Sequence, residues 1–136
     1  ETGKLDQAIQ EYKKAIAIDP LYTDAMLNLG YTYELQHDLD AAVAEYQRAI
    51  AVQPMDLNAR RNLASVFIRQ GKIDAAIAQY QSAITLDPSD VEATVTLLHL
   101  LAHVDRPQEF AAVYARASRY IPDLKQRLLE PTKIAH

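Results

Sequence analysis

The chain has 136 residues, with 14 lysines and arginines against 18 aspartates and glutamates and a formal net charge of -4, a balance without any basic tract that excludes the clustered positive surface needed to meet nucleic-acid phosphates. It has no cysteine, which removes disulfides, thiolate zinc sites and a cysteine nucleophile and leaves the compartment open, with the cytoplasm favoured. No apolar stretch approaches the roughly 20 residues that cross a bilayer, so no membrane insertion is expected, and the length fits a single domain with a core of its own.

In chain order, residues 4–18 read as one amphipathic helix with Leu5, Ile9, Tyr12 and Ile16 on a stripe, closed by Asp19-Pro20. Residues 24–36 and 38–52 repeat that helical spacing, as do 58–70 and 72–86, closed in turn by Asp87-Pro88. Gly71 stands where a helix must end in a left-handed conformation. His37 takes the equivalent place at greater steric cost, and Gly3 occupies it in the first unit. Residues 89–122 follow the same frame with departures. In the tail, Leu124, Leu128 and Leu129 share a stripe over residues 123–130, predicting a short capping helix ended by Pro131.

Pro20, Pro54, Pro88 and Pro122 are successively 34 residues apart. The same interval links Tyr12, Tyr46, Tyr80 and Tyr114, then Ala15, Ala49, Ala83 and Ala117, then Leu29, Leu63 and Leu97. A 34-residue helix-turn-helix unit carrying Leu29-Gly30 and Tyr33, then Ala42, Tyr46, Ala49 and Pro54, resembles the tetratricopeptide repeat. The resemblance divides the chain into a lone second helix (1–20), full repeats at 21–54, 55–88 and 89–122, the last divergent, and a capping tail (123–136). Where the family often has tryptophan, this chain has Met26, Arg60 and Thr94.

Small pairs, Gly30 with Ala42 and Ala64 with Ala76, let the two helices of a hairpin approach. Leu98 and Phe110 replace both members in the third repeat, so those helices are expected to be wider apart or rotated. The lone first helix lacks its hairpin partner and leaves apolar positions to cover. That suggests a piece of a longer array, or a surface through which the chain forms a homo-oligomer.

The resemblance implies an all-α fold, a right-handed α-solenoid of antiparallel helix pairs with about eight helices. It also implies a protein or peptide partner, bound as an extended peptide or a helix on the concave surface formed by the first helix of each repeat. The inner-face positions are Asp24, Asn28, Tyr31 and Leu35; Asn58, Arg61, Asn62, Ser65 and Arg69; and Glu92, Thr96, His99 and His103. Asn28 and Asn62 are one period apart, and an amide carries donor and acceptor, so the two can pair with an extended backbone of any sequence, with Thr96 continuing the column. Tyr31, Arg61, Arg69 and His99 are then expected to select side chains, and Ser65 lies between the two arginines. Relative to family members that clamp a C-terminal carboxylate, Leu27, Tyr31, Glu92 and Thr96 stand where basic or amide groups are required, which argues against that ligand.

No catalytic residues, metal or cofactor are expected. His99 and His103 have the i,i+4 spacing of a metal pair but enclose no glutamate base and have no third ligand, so a pH-dependent contact is the better reading. The three glycines form no phosphate loop, and Ser65, Ser82, Ser89 and Ser118 lack a nucleophile elbow. The remaining enzymatic reading is a targeting domain for a larger enzyme.

Overall fold

The computed structural model describes residues 2–131 and contains, among them, eight helices: α1 (Thr2–Ile18), α2 (Thr23–Leu35), α3 (Leu39–Val52), α4 (Leu57–Arg69), α5 (Ile73–Leu86), α6 (Val91–His103), α7 (Pro107–Ala117) and α8 (Leu124–Arg127). Each long helix packs on the next in the chain, producing an all-α solenoid of antiparallel pairs. The expected fold class is therefore observed.

The turns inside the pairs share one construction. His37, Gly71 and Asp105 are 34 residues apart and all have positive φ, at 63°, 75° and 55°. The amide after each reaches back five residues, from Asp38 to Tyr33, Lys72 to Phe67 and Arg106 to Leu101, at 2.8 to 2.9 Å. The left-handed residue's own amide bonds the carbonyl three back, completing a Schellman closure that satisfies the orphan carbonyls of the first helix. Gly3 does not play this part: it lies inside α1, where no described helix precedes it and no reversal is needed.

The turns between pairs use different chemistry. Asp19 Oδ1 accepts from the Leu21 amide and Asp87 Oδ1 from the Ser89 amide, both at 3.0 Å, folding the chain over the proline between them. Hydrogen bonds from Ser89 hold the Asp87 carboxyl below the ordinary carboxylate range. Asp38, Asp56 and Asp90 cap α3, α4 and α6 through the amides of Ala41, Ala59 and Ala93, each at 3.1 Å.

The repeated apolar columns meet in the core. Leu29, Leu63, Leu97, Ala49, Ala83 and Tyr46 are all essentially inaccessible. Gly30 is small for a more specific reason than pairing with Ala42: a Cβ placed there would lie 2.6 Å from Tyr46 Cε1 and 2.9 Å from two further ring atoms. The glycine makes room for an aromatic ring.

In the third repeat the backbones of α6 and α7 approach within 8 Å over far less of their length than do α2 and α3 or α4 and α5. Leu98 is buried against Ala117, Ile121 and Leu124, with Phe110 packed beside them and stacked on Tyr114 at 6.1 Å between ring centres. The two large residues thus fill the space that a looser hairpin leaves.

The tail is shorter than predicted. Helical geometry covers only Leu124–Arg127, and Leu129, expected on the buried stripe, points into solvent. Leu124 is buried and Leu128 half-buried one turn later, so the short helix still covers the end of α6. At the other end, α2 buries Ile9 and Ile16 of α1, two of the positions expected to need cover; Leu5 and Tyr12 are only half-buried.

A further set of ties uses Asp6, Asp40 and Asp74, successively 34 residues apart, as acceptors. Gln36 Nε2 donates to Asp6 and Gln70 Nε2 to Asp40, both at 2.7 Å, and Arg106 pairs with Asp74. Each joins the end of one repeat's first helix, or the turn after it, to the start of the preceding repeat's second helix. The bonds are exposed to solvent, so each contributes modestly to stability.

Candidate functional site

Because α2, α4 and α6 hold corresponding positions in successive repeats, residues 34 apart form rows that run across the three helices. Residues three and four apart on each helix share its face, so successive rows lie one turn, about 6 Å, apart. The first row is Asp24, Asn58 and Glu92, all exposed or half-exposed. The second is Asn28, exposed, followed by Asn62 and Thr96, half-buried. Tyr31, Ser65 and His99 form the third, and Leu35, Arg69 and His103 the fourth.

Asn28 and Asn62 have side-chain amides that bond no described residue. Neither is used to hold the fold. The Ser65 and Thr96 hydroxyls likewise bond no described residue, whereas Tyr31 and Leu35 leave about half of their surface in solvent, 58% and 47%.

The two arginines, expected to select a partner's side chain, also have partners inside the fold. Arg61 Nη1 lies 3.1 and 3.0 Å from the two carboxylate oxygens of Asp90, and 3.6 Å from Glu92 Oε2, while Nη2 donates to Asn58 Oδ1 at 2.6 Å. Arg69 Nη1 donates to Glu34 Oε2 at 2.7 Å, and the Tyr46 hydroxyl donates to the other oxygen of that carboxylate at 2.5 Å. Both guanidiniums are about three-quarters shielded. They tie neighbouring repeats together, α4 to α6 through Arg61 and α4 to α2 and α3 through Arg69.

Burial, followed by the hydrogen bond to Glu34, pushes the Tyr46 hydroxyl far above its ordinary range, so it remains a donor at working pH. Glu34 and Asp90 are not among the positions that the repeat pattern singles out. The available signal was charge: opposite signs on neighbouring first helices at nearly the same turn.

His99 also has an internal use. Its Nε2 is 2.9 Å from the Leu128 carbonyl, which requires the proton on that nitrogen, and Nδ1 is buried without a partner. The imidazole thus fastens the segment after α8 to α6, and His103 remains exposed. The two histidines do not gather into a site: among the described residues no three His, Cys, Asp or Glu side chains are placed to hold a metal ion. Nor is any described helix long and apolar enough to cross a membrane.

Among solved structures, a crystal structure of MamA aligns with a TM-score of 0.74 at 23% identity, covering 92% of this chain and 73% of that one. A second MamA crystal structure aligns at 0.75 and 23% identity, covering 94% and 70%. At this identity the likeness concerns the fold alone. No curated protein sequence is detectably similar to the chain. Family models described as tetratricopeptide repeat match residues 36–91 and 61–122, and one described as TPR repeat matches residues 1–37. With these matches and the 34-residue geometry together, the chain belongs to the tetratricopeptide repeat family, whose helical hairpins serve generally in protein interaction and scaffolding.

Proposed function

We propose that the protein is an interaction module, without catalysis of its own, that receives an extended segment of a protein partner across α2, α4 and α6. Asn28 and Asn62 bond the segment's backbone, with Thr96 at the end of the same row and Tyr31 and Ser65 along its side. The observation that supports this reading is that two amides one period apart sit in partly exposed positions with no internal use. A solvated helix position is usually filled by a better helix former than asparagine. Arg61, Arg69 and His99 act here as supports that hold the shape of the surface.

Affinity capture from a native extract tests the reading, with the wild-type domain beside an Asn28→Ala, Asn62→Ala double variant. The expected outcome is a protein retained by the wild type and lost by the variant, whose helical circular dichroism is unchanged. Equal capture by both would place the contact elsewhere.

One observation favours a second reading, self-association through α1. Ala8, Tyr12 and Ala15 are half-buried, whereas their equivalents one period on, Ala42, Tyr46 and Ala49, are fully buried. Light scattering over a concentration series decides it: a mass that stays monomeric at high concentration removes this reading.

A further inference from the structure

The rows across α2, α4 and α6 differ in chemistry, and on the groove reading above, on which this inference rests, they specify the sequence of the bound segment. On one side of the amide row are the carboxylates Asp24 and Glu92, at equivalent positions two periods apart, with the neutral Asn58 between them. On the other side are Tyr31, Ser65 and His99, of which Tyr31 is exposed, with Leu35 one turn beyond it on α2. Around the groove, four carboxylates (Asp24, Glu34, Asp90 and Glu92) face two guanidiniums (Arg61 and Arg69), and both guanidiniums are already neutralised by internal partners. An acidic segment would have to displace Asp90 or Glu34 to reach a positive charge. A basic one meets Asp24, whose carboxylate bonds no described residue, and Glu92, which is exposed and paired with Arg61 only at 3.6 Å.

Successive side chains of an extended chain point to opposite sides. A segment whose backbone follows the amide row therefore presents one set of alternate residues to the row of Asp24, Asn58 and Glu92 and the other set to the row of Tyr31, Ser65 and His99, where Tyr31 is exposed at the α2 end. We propose that the groove takes an extended segment that carries lysine or arginine at alternate positions toward the Asp24–Glu92 row and, between them at its α2 end, an apolar or aromatic residue against Tyr31.

Selection from a displayed library of random ten-residue peptides on the intact domain tests this with no partner assumed. The selected peptides are then synthesised and titrated against three forms: wild type, an Asp24→Asn, Glu92→Gln double variant, and the Asn28→Ala, Asn62→Ala double variant. Enrichment of Lys and Arg at alternate positions is expected. Affinity should fall about threefold to tenfold on removing the two charges, with a weaker dependence on salt, and be lost without the asparagines. Peptides that need the asparagines but are enriched in Asp and Glu, or show no charge bias, would overturn the charge assignment and leave the groove standing. Peptides indifferent to the asparagines, or no selection at all, would overturn the groove reading and this inference with it.

Discussion

Replacing Gly30 by alanine sets two effects against each other. A helix interior gains roughly 1 kcal/mol from the change in propensity. The added methyl, however, would press on a Tyr46 ring that is fully buried and held by its hydroxyl to Glu34, and overpacking of this kind costs about 1–3 kcal/mol. Net destabilisation is expected, read as a lower urea midpoint with unchanged slope. Thr94 gives the opposite case. It is wholly buried and its hydroxyl has no partner, so Thr94→Val keeps the shape, removes a desolvated polar group and should stabilise by about 1 kcal/mol in the same titration.

At the scale of helices and turns, three left-handed residues close three equivalent turns, yet only Gly71 is glycine. A side chain in this conformation costs roughly 1–2 kcal/mol, less for an aspartate that can bond locally, and glycine regains most of that at the expense of a more flexible unfolded chain. His37→Gly is therefore expected to raise the thermal midpoint by a few degrees, and Asp105→Gly by less; a fall in either would show that the side chain has a native contact outweighing the strain. Fastening of α8 belongs to the same scale. His99→Ala should speed amide exchange in residues 124–128 while leaving α2 to α5 protected, because only the Leu128 tie and its local packing are lost.

For the molecule as a whole, the buried tyrosines Tyr46 and Tyr80 predict alkaline sensitivity. Burial, aided by the nearby Glu92 charge and opposed by Arg61, pushes the Tyr80 hydroxyl up to about 12 from an ordinary 10.0, and Tyr46 is raised further. Above pH 10 the unfolded tyrosines lose protons that the folded ones keep. The stabilisation is therefore complete below about 10 and declines as pH rises toward about 12. Urea midpoints measured across that window should fall steadily, and Tyr80→Phe should make the decline shallower. An unchanged slope in that variant would mean that Tyr80 does not contribute to the transition.

By itself the sequence determined the helices, the period and the family, because each repeat satisfies its backbone locally and its apolar columns recur every 34 residues whatever lies next to them. Leu29, Leu63 and Leu97 were legible as core for that reason, as were Gly71 and His37 as turn residues. Asn28 and Asn62 were legible as equivalent positions one period apart on successive first helices. The structure shows their amides free of internal partners, and their role is the subject of the proposal. Only the tertiary structure decided what the charged groups do. Arg61 and Arg69 are bound by Asp90 and Glu34, which lie 29 and 35 residues away, and His99 by a carbonyl 29 residues on. Partners at such separations belong to neighbouring repeats. Which of several nearby carboxylates or carbonyls a side chain reaches depends on the stacking angle between those repeats, and helical periodicity carries no record of that angle.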